Sequence, residues 1–327
     1  MTALGFVLVC SVIVFAGSRL SGYGDRLAAR YGWSGVWAGL VLLATVTSLP
    51  EVFAGASAVV VYDAPDLAVG GVLGSCMFNL FIVSILDGWS GGEPLTARIH
   101  RGHVLTVGFG VVLVGLAGIA LAGPARALSF GWVGVLSPAL LLLYLVAARA
   151  SHSYELSHQT ELPVPPTGTS RAADRELWSG WVVYALVVIA ASVLVPGLAE
   201  QVVEQTGLDR SFVGNSLVAL ATSLPELVVA VAAVRIGAID LAFGNILGSN
   251  LFNVALLGFL DVLYLDGPLL VAASPAHLVT VATIVIMNGV LVIAITMRAQ
   301  ARVLAGSWAA WAIFAAYVLA LTLLGFA

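Results

Sequence analysis

Thr47-Ser48-Leu49-Pro50-Glu51 lies inside a long apolar run, and Thr222-Ser223-Leu224-Pro225-Glu226 repeats it in the second half of the chain. Each copy is followed by a second shared string, Gly74-Ser75-Cys76-Met77-Phe78-Asn79 and then Gly248-Ser249-Asn250-Leu251-Phe252-Asn253. The glutamates are 175 residues apart and the asparagines 174. An acid at the centre of a membrane helix costs roughly 2.5–3.5 kcal/mol on insertion scales, so an intramembrane glutamate marks function. A protonated acid bonded to a neighbouring helix would account for one such residue. Duplication beside the same hydroxyls and the same proline points to a paired site.

Around each glutamate the residue types converge on one chemistry. Proline within a helix removes a backbone hydrogen bond and clashes with the carbonyl four residues back. Pro50 is therefore expected to free the carbonyl of Val46, and Pro225 that of Ala221. Free carbonyls at membrane depth persist where protein or a wet cavity satisfies them. Thr47 and Ser48 precede Glu51 by four and three residues, so hydroxyls and carboxylate share a helix face, as do Ser75 with Asn79 and Ser249 with Asn253. Gly74 and Gly248 let another helix come close. Carboxylate, hydroxyl, amide and carbonyl oxygens with no thiolate–imidazole set suit a hard cation: Ca²⁺, Na⁺ or Mg²⁺. The competing structural roles are interhelical bonding for the asparagines and bonding back to the helix for the hydroxyls.

The remainder of the chain supplies the setting. Of 327 residues, 61% are hydrophobic and 9% charged, against about 25% charged in soluble domains. The fold class read from this is an all-α integral membrane protein. Ten apolar stretches can span a bilayer: 2–20, 33–61, 66–87, 103–122, 130–149, 179–199, 211–235, 238–262, 276–297 and 306–326. Residues 2–17 lack a basic leader and an Ala-x-Ala site and read as a retained helix. A polar stretch at 151–178 separates a first five-helix repeat (1–150) from a second (179–327). Lysine is absent. With the N-terminus outside, eleven of the thirteen arginines fall in inner loops, leaving Arg126 and Arg210 outside. That bias predicts outer termini and a cytoplasmic central loop in the cell (inner) membrane. Five helices per half makes the second repeat inverted, with broken core helices around a midplane site, as in many secondary transporters.

Other polar residues read as structural. Asp66 and Asp240 align across the repeats as N-caps, and Asp87 and Asp261 as solvated helix ends. His100 and His103 join Arg98 and Arg101 in a solvated loop cluster. His152, His158 and His277 have no partner at ligand spacing. Two cysteines cannot build a disulfide framework.

The two duplicated strings resemble those of the cation/calcium exchanger superfamily, specifically the sodium/calcium exchanger type. The resemblance covers about 44–87 and 219–261, and the ten-helix layout agrees with it. It implies calcium coordination by Glu51 and Glu226, with Asn79 and Asn253 completing the centre. It implies flanking sodium sites from Thr47, Ser48, Ser75 and the Ala44 carbonyl, and from Thr222, Ser223, Ser249 and the Ala219 carbonyl. Helices one and six, which lack the motif, are implied to be the moving gate. The chain departs from the family in places: Val46 and Ala221 stand where a glycine commonly precedes Thr-Ser. Asn253 stands where some members carry aspartate, and Gly71 faces Asn245 across the repeats. The expected function is Ca²⁺/Na⁺ antiport with no cofactor beyond the transported ions. The partners are the lipid bilayer and inorganic cations, with no nucleic acid and no obligatory protein partner. A Ca²⁺/H⁺ antiporter using the same glutamates is the nearest alternative. A passive cation channel is a further one. An intramembrane enzyme would need a nucleophile–base set or an HExxH motif, and neither is found.

Overall fold

The computed structural model describes residues 2–31, 44–122, 128–158, 171–298, 302–303 and 306–326. Helix α1 (Thr2–Tyr31) opens the chain. A short helix α2 (Ala44–Thr47) leads through Ser48 into α3 (Leu49–Val60). Next come α4 (Pro65–Ser90), α5 (His103–Ala122) and α6 (Ser137–His158). The second half runs α7 (Arg171–Val193), α8 (Val195–Thr206), α9 (Ala219–Arg235), α10 (Ile239–Leu263), α11 (His277–Met297) and α12 (Trp308–Gly325). Two-residue antiparallel ribbons precede α6 and α12, pairing Ser129–Phe130 with Val133–Gly134 and Arg302–Val303 with Gly306–Ser307.

Among the described residues, eight segments are long and apolar enough to cross a membrane, and Leu49–Val60 and Ser137–Ser151 are shorter apolar helices. The beginning of the second expected span, 33–43, and the proline-bearing centre of the expected linker, 159–170, lie outside the described residues. Three boundaries differ from expectation. The first helix continues through Arg26 and Arg30 to Tyr31, where Arg26 sits over the Tyr23 ring and Arg30 pairs with Asp174 of α7. The stretch 130–149 begins as a ribbon turn, and its helix starts at Ser137. Both flanks of the polar stretch 151–178 are helical, to His158 and from Arg171.

Helices α4 and α10 are apolar on almost every face and buried on almost every face, as expected of helices at the centre of a bundle. They cross one another and are wrapped by α3, α5, α6, α9, α11 and α12. Gly74 sets the depth of one crossing. A Cβ there would fall 2.6 Å from Asn215 Cα and 2.7 Å from its carbonyl oxygen, so only glycine admits that backbone. Helices α1 and α7 pack chiefly on each other, outside this block.

The aligned aspartates do something other than the sequence suggests. The residues at the N-cap positions of α4 and α10 are Ala64 and Ala238. Asp66 instead accepts from the Ser274 amide and meets His277 Nε2 at 3.1 Å. Asp240 accepts from the His100 amide and meets His103 Nε2 at 3.0 Å. His103 and His277 are both buried, so the solvated-loop reading of His103 does not hold and His277 does have a partner. Asp87 and Asp261 are buried too, rather than solvated. Asp87 takes the amides of Leu95 and Ser307. Asp261 takes those of Leu269 and Gly134 and the Ser137 hydroxyl. Each of the four acids thus binds the opposite half of the chain. The spacing rules of a single helix cannot reveal contacts of that kind.

Removing Asp261 would leave three donors unpaired, the buried Leu269 amide and Ser137 hydroxyl each costing about 1–3 kcal/mol and the half-buried Gly134 amide less. Asp261→Ala is expected to lower stability by about 2–5 kcal/mol in thermal or denaturant unfolding of the detergent-solubilised protein. Asp261→Asn, which keeps an acceptor, should fall between the two.

Candidate functional site

The first duplicated string forms a break. Helix α2 ends at Thr47, Ser48 takes φ −86° and ψ 8°, and Pro50 starts the next helix in its first turn. Proline is well tolerated there because its missing N–H would be unpaired anyway. The second string behaves differently. Helix α9 runs on through Pro225, so the expected break at that proline is not seen. The irregularity lies upstream, where Gly214–Val218 forms a π-helical turn. Such turns insert a residue and release the regular bonding pattern, often at functional sites.

Both breaks meet the middle of α4 and α10. Glu51 and Glu226 are 2% and 0% exposed. Ser223 Oγ donates to Glu51 Oε1 at 3.0 Å, and Ser48 Oγ donates to Glu226 Oε1 at 3.3 Å. Each carboxylate is thus held by a serine of the other copy. Ser249 Oγ also donates to Glu226 Oε1, at 3.3 Å. The threonines close the cluster, Ser75 Oγ lying 3.1 Å from Thr222 Oγ1 and Thr47 Oγ1 lying 3.3 Å from Ser249 Oγ. The Thr47 hydroxyl faces the Ala44 carbonyl at 3.2 Å, and that of Thr222 faces the Ala219 carbonyl at 3.4 Å. Ten of the twelve residues expected at the site therefore take part in these bonds, Glu226, Ser48, Ser249, Thr47 and Ala44 in one group, Glu51 with Ser223 in a second, and Ser75 with Thr222 and Ala219 in a third. The two asparagines, Asn79 and Asn253, lie on α4 and α10, one helical turn beyond Ser75 and Ser249, and are fully buried.

The unpaired atoms are informative. Glu51 Oε2, Glu226 Oε2, Asn79 Oδ1 and both amide atoms of Asn253 are buried without a hydrogen-bond partner. Buried polar groups are nearly always paired, so a cluster of exceptions calls for a ligand. Among the described residues no lysine, arginine or histidine pairs with either glutamate. Two carboxylates with unpaired oxygens and hydroxyl neighbours form an electron-rich, proton-poor chamber suited to a hard cation.

Three asparagines of the second copy were not singled out as ligands by the sequence pattern. Asn250 donates from Nδ2 to the Cys76 carbonyl at 3.1 Å, while Cys76 Sγ faces the Asn250 carbonyl at 3.7 Å. Its Oδ1 accepts Asn79 Nδ2 at 3.1 Å. That bond occupies the Asn79 nitrogen and leaves its oxygen without a partner. Asn215 holds the π-turn, donating to the Ser211 carbonyl at 2.8 Å and accepting from Thr280 at 2.8 Å, with His277 Nδ1 at 3.0 Å. Asn245 lies beside Thr47. Their signal in the sequence was asymmetry: the aligned residues are Cys76 for Asn250 and Gly71 for Asn245.

Known proteins resemble this chain in sequence and in fold. A relative from Alkalimonas amylolytica, named as the antiporter CaxA, is 32% identical over 79% of this chain and 80% of its own length. The inner membrane protein YrbG of Escherichia coli is 28% identical over 78% of each chain. Among solved structures, the sodium/calcium exchanger from Methanococcus jannaschii matches 98% of this chain and 99% of its own, with a TM-score of 0.65 and 22% identity. An H⁺/Ca²⁺ exchanger, CAX, matches 97% of this chain and 81% of its own, with a TM-score of 0.74 and 14% identity. These two likenesses concern the fold. The sequence profile described as sodium/calcium exchanger protein matches residues 1–150 and 177–326. The chain is an integral membrane protein that belongs to the sodium/calcium exchanger family.

Proposed function

We propose that the chain exchanges Ca²⁺ for Na⁺ by alternating access at the buried oxygen chamber. Glu51, Glu226, Asn79 and Asn253 form its centre. Thr47, Ser48, Ser249 and the Ala44 carbonyl flank it on one side, and Thr222, Ser223, Ser75 and the Ala219 carbonyl on the other. The observation that carries this reading is the pair of fully buried carboxylates, each held by the opposite copy and each with an unpaired oxygen.

Charge explains why transport would be exchange. Two ionised glutamates carry −2, which one Ca²⁺ or two Na⁺ neutralise. Closing an empty chamber would bury two bare carboxylates, and a buried uncompensated charge costs several kcal/mol. The empty carrier therefore resists occlusion, and the two ions compete for the same oxygens. The proposed frame is ten membrane segments in two inverted halves, 1–150 and 179–327, joined through a cytoplasmic linker at 151–178, with both termini outside. The recurrence of hydrogen bonds at an offset of 174 or 175 residues supports it, as does the arginine bias. Helices α1 and α7 are the proposed moving pair, because they pack mainly on each other. Helix α1 also covers the site: a Cβ at Gly17 would lie 2.9 Å from Pro225 Cγ.

Glu51→Gln and Glu226→Gln each remove one charge at nearly constant volume. Either change is expected to abolish ⁴⁵Ca²⁺ flux driven by a Na⁺ gradient in vesicles, and normal flux in either variant would defeat the mechanism. The same assay separates the ion pairs. Wild-type efflux that follows an imposed pH gradient and ignores Na⁺ would establish Ca²⁺/H⁺ exchange instead. Asn250→Leu releases the Asn79 amide, so the half-saturating Ca²⁺ concentration should rise about five- to tenfold with maximal flux less affected.

A further inference from the structure

The two copies of the motif differ at one position inside the chamber. Asn245 is one helical turn before Ser249 and two before Asn253, so all three lie on one face of α10. It is fully buried, and its Oδ1 lies 3.3 Å from Thr47 Oγ1. The same hydroxyl faces the Ala44 carbonyl at 3.2 Å and Ser249 Oγ at 3.3 Å. Thr47 has one proton for these three acceptors. Ser249 directs its own proton to Glu226 Oε1. The Ala44 carbonyl already accepts the Ser48 amide at 3.0 Å, so of the remaining two, Asn245 Oδ1 and Ser249 Oγ, at least one is left without the Thr47 proton. Asn245 Nδ2 has no partner either. An asparagine kept only to bridge helices would use both ends of its amide.

The mirror pocket lacks this oxygen. Gly71 stands in place of the asparagine, and a Cβ there would fall 2.9 Å from Val218 Cγ1, so the space is already filled. Thr222 faces Ser75 and the carbonyls of Val218 and Ala219, with no amide oxygen among these partners.

We infer that Asn245 Oδ1 is an additional cation ligand, so that the two flanking pockets are unequal and the Thr47 pocket binds a monovalent cation more tightly than the Thr222 pocket. The inference rests on the exchange reading given above and adds to it a ligand and an order of filling. An amide oxygen contributes a dipole without charge. It favours Na⁺ at the flank and leaves the −2 balance of the centre untouched. With Ala44 O, Thr47 Oγ1, Ser249 Oγ and Glu226 Oε1, it gives the Thr47 pocket five oxygens, one of them from a carboxylate.

The test uses the full chain in proteoliposomes, with ⁴⁵Ca²⁺ flux measured against Na⁺ and against Ca²⁺ concentration. Asn245→Gly copies the first repeat. It is expected to raise the half-saturating Na⁺ concentration about fivefold while moving that of Ca²⁺ less than about twofold. Asn245→Asp retains an oxygen ligand and should restore the Na⁺ dependence. Stabilisation by Na⁺ in thermal unfolding of the detergent-solubilised variants gives a readout independent of transport, and Asn245→Gly should show less of it than the wild type. An Asn245→Gly variant with wild-type Na⁺ dependence, or with Na⁺ and Ca²⁺ affinities weakened equally, would overturn the assignment while leaving Na⁺/Ca²⁺ exchange in place. Wild-type flux indifferent to Na⁺ would overturn both.

Discussion

Two carboxylates lie fully buried in the middle of an apolar bundle, with no basic side chain among the described residues to neutralise them. Burying an unpaired charge is among the costliest arrangements in a folded protein, and a membrane offers no water to relieve it. The surrounding structure answers that cost only in part. Serine hydroxyls satisfy one oxygen of each glutamate and leave the other bare. A chamber left half satisfied by protein suits a cation that binds and leaves, as the proposed exchange requires. A basic residue in the same place would remove the cost and the function together.

Holding such a chamber open to ions without letting it collapse requires a stiff frame. The four aligned aspartates provide one, each at an end of α4 or α10 and each bonded to backbone or histidine of the opposite half. These bonds lie at the rims of the central helices, whose middles carry Ser75, Asn79, Ser249 and Asn253. The frame fixes the spacing of the two copies, and α1 and α7, the pair proposed to move, take no part in these aspartate bonds. Packing at the rims and chemistry at the centre are thus linked through the same two helices.

Exact repetition would make the two sides of the chamber alike, and the structure shows that they are not. Asn215, Asn245 and Asn250 all belong to the second half. One stiffens the π-turn, one borders Thr47, and one orients Asn79 across the interface. In the first copy the helix breaks at Ser48, and Gly71 and Cys76 stand where the second has Asn245 and Asn250. A carrier that meets different ionic conditions on its two faces has use for flanking pockets of different strength.

Much of this was legible in the sequence. Apolar runs of membrane length located the helices, because a bilayer demands about 20 such residues whatever the partners. The duplicated Ser-Leu-Pro-Glu and Gly-Ser strings singled out the site, because acids, hydroxyls and amides at helical spacing have little structural reason to recur inside lipid. Local rules failed where the deciding contact came from the other half of the chain. Asp66, which heads its helix as a cap would, reaches Ser274 and His277 instead. Pro225, which should break a helix, is carried inside α9, and the irregular turn lies upstream at Gly214–Val218. Residue types and their spacing determined which groups could bind a cation. Only the tertiary fold decided which oxygens were already spent on protein partners and which remained bare, since that depends on neighbours 172 and 178 residues away.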